Sequence, residues 1–138
     1  MLLDTHIWIW AANGDTSRLG VKARRLLNRV GAAGKLSVSA MSVFEVAALH
    51  TAGRLQLAMP VEGWIRASID RSGLRILDVP PAVATDAGLI PAAAMSDPID
   101  RLLVATSRYF AIPLMTRDRT LLAYARSTRA LTVVDASG

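Results

Sequence analysis

The chain opens with MLLDTHIWIW (residues 1–10), in which the apolar pair Leu2-Leu3 ends at Asp4 and an apolar run follows. The polar stretch Asn13-Gly14-Asp15 interrupts the chain soon afterwards. Turn-forming residues directly after an apolar run mark the end of a regular element. The opening therefore predicts a short strand that feeds a short helix, with an acid at the junction.

The rest of the chain repeats this order of strand and helix. Apolar spacing, alternation and flanking Gly or Pro predict helices at 17–33, 42–52, 60–72, 98–110 and 118–127, a short helix from 80, and strands at 36–39, 74–79, 113–116 and 131–134. Strands that alternate with helices favour a parallel sheet covered by helices. We predict an α/β fold and, from the length of 138 residues, one domain spanning 1–138.

The composition limits where the protein acts. No stretch approaches the ~18 uncharged apolar residues that cross a bilayer, and the opening residues lack the basic region of a signal peptide. We therefore expect a cytoplasmic protein with no membrane association. The hydrophobic content of 52% is high for so short a chain, and large apolar patches usually meet a partner. This predicts a homodimer or a complex with another protein.

The charge balance leaves two readings open. The 16 basic residues, 14 of them arginine, exceed the 11 acids and give a net charge of +5. Arginine suits forked contacts with phosphate, which favours a nucleic-acid substrate. A solvated surface whose arginine content reflects genomic base composition explains the excess equally well. The absence of cysteine excludes thiolate metal sites and thiol nucleophiles.

Four acids are placed so that they can meet at one edge of the sheet. Ligands of parallel α/β sheets bind beyond the carboxyl ends of the strands, where Asp4 and Asp118 follow predicted strands. Glu45 and Asp100 lie in predicted first helical turns beyond the same edge. Carboxylates ~5 Å apart repel by roughly 3 kcal/mol at an effective dielectric of ~20, so such a cluster favours a bound hard cation, Mg²⁺ or Mn²⁺. Phosphodiester hydrolysis is the matching chemistry.

Helix capping is the alternative explanation for some of these acids. The sequence Ser42-Val43-Phe44-Glu45 matches a capping box. Asp97-Pro98 is a strong helix start, because Asp caps well and Pro is tolerated at the first helical position. Asp4 is harder to explain in this way, since a charge among apolar residues is costly unless it is paired.

The order of these segments resembles the PIN domains of VapC toxins. The resemblance is carried by residues 2–6 (LLDTH), 38–46 (VSAMSVFEV), 97–105 (DPIDRLLVA) and 116–118 (TRD), and covers nearly the whole chain. Any one segment is a weak signal, whereas four in this order are specific. The segment 95–96 (MS) departs from the His-x pair common in the family.

The resemblance implies a PIN-like three-layer sandwich with a central parallel sheet between helices. It further implies Mg²⁺- or Mn²⁺-dependent endoribonuclease activity, an RNA substrate and a cognate VapB-type antitoxin. Carried over residue by residue, the catalytic and metal-binding acids are Asp4, Glu45, Asp100 and Asp118. Asp97 matches the leading acid of the third segment, where ligation and capping both remain open.

Several neighbours of the acids are candidates for substrate contacts. These are Thr5, Arg101, Thr116 and Arg117. Thr5 is expected to orient Asp4 or a metal-bound water, or to cap the first helix. His6 is expected to be a core histidine, with a catalytic role as the alternative. Trp8 and Trp10 are expected in the core or at a partner surface, with base stacking as the alternative. A catalytically inactive PIN-like module that binds RNA or protein is the rival function, and loss of an acid would be its mark.

Overall fold

A computed structural model describes residues 1–129 and 131–138. Its strands are β1 (Leu2–Leu3), β2 (Ser37–Ser39), β3 (Arg75–Leu77), β4 (Leu114–Thr116) and β5 (Val133–Asp135). Its α-helices are α1 (Thr5–Ala12), α2 (Val21–Ala32), α3 (Ala40–Thr51), α4 (Val61–Ser72), α5 (Pro81–Leu89), α6 (Pro98–Phe110) and α7 (Arg119–Thr128). A 3-10 turn occupies Thr16–Arg18.

The five strands form one parallel sheet in the order β3-β2-β1-β4-β5. The strand order reverses between β1 and β4, because the chain builds outward from β1 first on one side and then on the other. Such a reversal opens a crevice beyond the carboxyl ends of the two central strands. Asp4 follows β1 and residues 117–118 follow β4, so the fold places these positions at that crevice.

Side chains that alternate along the strands feed two cores. Leu3 and Met115 pack on one face with residues of α1 to α4, whereas Leu2 and Leu114 pack on the other face with residues of α6 and α7. Successive strand residues point to opposite faces of a sheet, so each central strand serves both cores. The predicted α/β three-layer sandwich is confirmed. No helix within the described residues is long and apolar enough to cross a lipid bilayer.

The largest differences from the predicted element boundaries concern α2 and α3. The helix predicted over 17–33 is split, because Gly20 is extended and receives the end of the chain. A Cβ on Gly20 would lie 1.9 Å from the carbonyl oxygen of Gly138, so only glycine fits there. The predicted capping box at Ser42 is wrong, because Ser39 already caps α3 by accepting the backbone N–H of Met41 at 3.0 Å.

Candidate active site

Asp4 lies between β1 and α1 and is buried, with 8% of its surface exposed. Its backbone N–H donates to the carbonyl of Met115 at 3.0 Å, which ties it to the neighbouring strand β4. It occupies the N-cap position of α1, yet within the described chain its carboxylate makes no capping hydrogen bond. Burial raises the pKa of the Asp4 carboxyl, partly offset by the hydrogen bond from Thr116. This burial was expected from the apolar residues on both sides of Asp4.

Thr116 joins the two central strands at the crevice. Its hydroxyl donates to Oδ2 of Asp4 at 2.6 Å and accepts the backbone N–H of Asp118 at 2.9 Å. The side chain is fully buried. Thr116 was predicted to contact the substrate, whereas both of these hydrogen bonds stay inside the protein. It thus fixes the carboxylate of Asp4 relative to the start of α7.

Asp118 is exposed at the N-terminus of α7. Its Oδ1 accepts the backbone N–H groups of Thr120 at 2.8 Å and Leu121 at 3.1 Å, so the side chain caps the helix. A carboxylate offers about four lone-pair sites on two oxygens, so a capping carboxylate can still bind a cation. Capping therefore anchors Asp118 without excluding it as a ligand.

Asp97 and Asp100 open α6. Oδ1 of Asp97 accepts the backbone N–H groups of Ile99 at 2.8 Å and Asp100 at 3.2 Å, which confirms the predicted cap. Asp100 is half-buried in the first helical turn. Burial is the largest cause that raises its pKa, which reaches about 8. The remaining causes are repulsions from four carboxylates, in decreasing order those of Asp97, Asp4, Asp118 and Glu45.

Glu45 lies in the second turn of α3 rather than the first, because the helix begins at Ala40. It is half-buried, and its negative charge contributes to the raised pKa of Asp4 and of Asp100. The capping explanation for Glu45 required a helix start at Ser42 and falls with it. Ser42 is instead buried and accepts a hydrogen bond from the hydroxyl of Thr5 at 2.9 Å.

Asp100 is thus repelled by the other four acids, and Glu45 also acts on Asp4. Within residues 1–129 and 131–138, no three acidic or histidine side chains form a ready-made metal cluster. The donor set is nevertheless the one that hard divalent cations prefer, with oxygen ligands and more than one carboxylate. These residues fit Mg²⁺ or Mn²⁺ by their chemistry.

A pocket of about 280 Å³ lies beside Asp4 and Asp118. Its other lining residues are His6, Ile7, Trp10 and Arg117. His6 is exposed in this pocket, so the expectation that it is a core histidine is wrong. Its ring centroid lies 5.9 Å from that of Trp10. Trp8 is a core residue, as one of the two readings expected, and its indole N–H donates to Ser68 at 2.6 Å.

Two further candidates have partners that the sequence did not indicate. Nε of Arg101 donates to the carbonyl of Met95 at 2.7 Å, which holds the loop that precedes α6. Thr5 is fully buried and bonds to Ser42, so its hydroxyl neither orients Asp4 nor caps α1. Neither hydrogen bond could be predicted from a sequence pattern, because each forms only in the folded chain.

The PIN domain is the known protein family whose sequence profile matches residues 1–127 of this chain. The chain belongs to the PIN-domain family. The chain is also similar to ribonuclease VapC22 of Mycobacterium tuberculosis. The two sequences are 35% identical over 133 residues, which is 96% of this chain and 97% of the relative.

Solved structures share the fold of this PIN domain. VapBC2 from Rickettsia felis, bound to a DNA fragment from its promoter, contains a chain with a TM-score of 0.66 at 13% identity, covering 97% of this chain and 96% of that chain. A chain of FitAB bound to an IR36 DNA fragment gives a TM-score of 0.59 at 19% identity, covering 99% of this chain and 95% of that chain. At these identities the likeness concerns the fold.

Proposed function

We propose that this PIN domain is an endoribonuclease that hydrolyses phosphodiester bonds in RNA and acts in the cytoplasm as the toxin of a VapBC-type toxin–antitoxin pair. The observation that carries the proposal is the pocket lined by Asp4 and Asp118, together with the repulsion that Asp100 receives from four other carboxylates. A relative named as a ribonuclease, similar along nearly the whole chain, supports it.

Asp4, Glu45, Asp100 and Asp118 are proposed to hold Mg²⁺ or Mn²⁺, and for Asp97 ligation and capping are the two alternatives. Asp97 and Asp118 are anchored as helix caps, and Asp4 is anchored by Thr116. Fixed ligands spend little free energy on ordering when a cation binds. A bound divalent cation supplies the activation of water and the neutralisation of charge on phosphate.

The charge outside the acidic cluster suits an RNA substrate. Without the five acids, six acidic residues remain against 16 basic ones, so the rest of the protein is formally +10. A positive surface around a cation-binding pocket attracts a polyanionic backbone. Arg117 lies at the edge of this pocket and is the first candidate for a phosphate contact.

A VapB-type antitoxin and a second copy of the chain are the proposed protein partners. The structural relatives are complexes named VapBC2 and FitAB. Large apolar side chains are exposed on this chain, among them Phe44 (61%) and Leu89 (76%). Apolar side chains in contact with water are candidates for burial by a partner. Co-purification with the neighbouring gene product, followed by light scattering, tests both partners. A monomer at high concentration with no bound protein would contradict them.

The function is tested by cleavage of a labelled RNA with Mg²⁺, with Mn²⁺ and with EDTA. Cleavage is expected with either metal and not with EDTA, and the Asp4→Asn variant is expected to lose it. Asp70→Asn is the matched control, because Asp70 is an exposed acid on α4. If Asp4→Asn and Asp118→Asn both cleave at the parent rate, the nuclease mechanism is wrong. RNA binding without cleavage by the parent would favour the inactive PIN-like module.

A further inference from the structure

One wall of the pocket beside Asp4 and Asp118 combines the rings of His6 and Trp10 with the guanidinium group of Arg117. The guanidinium carbon of Arg18 lies 5.4 Å from the ring centroid of Trp10, and that of Arg117 lies 5.9 Å from it. Both distances are within the range of cation–π contacts. His6 completes the wall, with its ring tilted 52° to that of Trp10.

The two arginines differ in how their charges are engaged. Nε of Arg18 pairs with Asp15 at 3.1 Å. Arg117 donates to the backbone carbonyl of Arg18, and no ion pair of Arg117 occurs within the described parts of the chain. A backbone carbonyl does not neutralise a guanidinium. Arg117 therefore presents a positive charge beside the acidic cluster, held in place by Trp10 and by the carbonyl.

We propose that His6, Trp10 and Arg117 form the subsite for one unpaired nucleotide of the RNA next to the scissile phosphate. His6 stacks on the base, Arg117 binds a phosphate of that nucleotide, and Trp10 is a positioning residue that holds the guanidinium. The inference rests on the proposed function and specifies which residues of this chain contact the nucleotide at the cleavage position.

The chemistry of the wall selects RNA over a protein ligand. Proteins that bind unpaired bases stack them on His, Tyr, Phe or Trp rings and on Arg planes. An exposed ring beside an available guanidinium supplies both a π-face and a phosphate contact within one pocket. The pocket adjoins two of the proposed metal ligands, Asp4 and Asp118, so a nucleotide bound here has its backbone at the acids.

The experiment measures binding of a short, fluorescently labelled single-stranded RNA by anisotropy in EDTA, where cleavage does not interfere. His6→Ala is expected to lose about tenfold in affinity, within the range found when a stacking ring is truncated. A series of RNAs, each with one base removed, locates the stacked base. Removing that base should weaken binding to the parent and have no further effect on His6→Ala, because the two changes delete the same contact.

The phosphate contact is measured by the dependence of affinity on salt. Arg117→Ala is expected to reduce the slope of log K against log[salt] by about 0.7, the share of one phosphate on a single strand. Arg75→Ala is the charge-matched control, because Arg75 is exposed at the start of β3, the end away from the site. Trp10→Leu keeps an apolar side chain and should reduce the slope as Arg117→Ala does. A merely structural Trp10 would lower the urea midpoint without changing the slope.

Three results would overturn the subsite. The first is that His6→Ala and Arg117→Ala bind RNA with the affinity of the parent. The second is that their loss of affinity is no larger than that of Arg75→Ala. The third is that these variants lose binding of a protein partner while their RNA affinity is unchanged. Cleavage of the same RNA with Mg²⁺ separates this inference from the proposed function. A parent that binds through the subsite but does not cleave refutes the nuclease and leaves the subsite intact. If the parent cleaves the RNA but the variants keep its affinity, the subsite is refuted and the nuclease proposal stands.

Discussion

Replacing Asp100 with Asn should remove a pH-dependent destabilisation of the metal-free protein. The ordinary pKa of this side chain is 3.8, and burial with repulsion from the other acids raises it to about 8 in the folded state. Between these two values the folded protein holds a proton that the unfolded chain has released. The free energy of unfolding therefore falls as the pH rises from about 4 to about 8 and levels off above that value.

The size of the effect follows from the shift. A pKa difference of about 4 corresponds to roughly 6 kcal/mol, since each unit is worth about 1.4 kcal/mol. Asp100 is only half-buried, so water and salt screen its interactions, and about 2 kcal/mol is a more realistic contribution. Asn keeps the shape of the side chain and carries no charge at any pH. The Asp100→Asn variant should therefore gain about 2 kcal/mol over the parent at pH 9 and little at pH 5.

Urea unfolding at pH 5, 7 and 9 in EDTA measures this difference. Asp70→Asn, at an exposed position on α4, controls for the change in net charge and should follow the parent at each pH. Adding Mg²⁺ at pH 8 should stabilise the parent more than Asp100→Asn, because linked stabilisation grows with affinity. Parallel pH profiles for the parent and Asp100→Asn would show that the charge of Asp100 does not destabilise the folded protein.

Three further predictions concern the neighbouring residues. Thr116→Val removes the hydrogen bond to Asp4 and leaves the backbone N–H of Asp118 without its acceptor, so urea unfolding should show a loss of about 1–3 kcal/mol and RNA cleavage should slow; unchanged values for both would contradict the bridging role. Asp97→Ala should lose about 1 kcal/mol equally with EDTA and with Mg²⁺, because it removes a helix cap; a loss that grows with Mg²⁺ would identify Asp97 as a ligand instead. Asp4→Asn should keep its salt-dependent affinity for RNA in filter binding while cleavage disappears, because the positive surface lies outside the acids; equal loss of both would place binding at the acids themselves.

The fold and the position of the acids could be predicted because both rest on local signals. The apolar residues before Asp4 and before Asp118 mark strands, and the Asp-Pro start of α6 marks a helix cap. In a parallel sheet these signals also determine which edge the acids share. Local pattern was therefore enough to predict that Asp4, Asp100 and Asp118 act on one another.

The remaining features depend on contacts between distant parts of the chain. The start of α3 was misplaced because Ser39 and Ser42 both suit an N-cap and the capping-box pattern favoured Ser42, whereas α3 follows β2 directly and is capped by Ser39. His6 was expected in the core because its neighbours are apolar, whereas α1 buries Ile7 and Trp8 and leaves His6 on the exposed side. The bond from Thr116 to Asp4 joins residues 112 positions apart, which no sequence window contains.

Two of the five acids are held in place because they cap helices. Asp97 and Asp118 each accept two backbone N–H groups at a helix N-terminus, where the helix dipole also favours negative charge. Asp100, in contrast, lies within the first turn of α6, and the pKa of its side chain rises to about 8. Repulsion from the other four acids thus contributes to the raised pKa of the Asp100 carboxyl, which can take up a proton. We expect a cation bound at the proposed site to offset this repulsion, with Asp118 already held in place by the cap that it provides for α7.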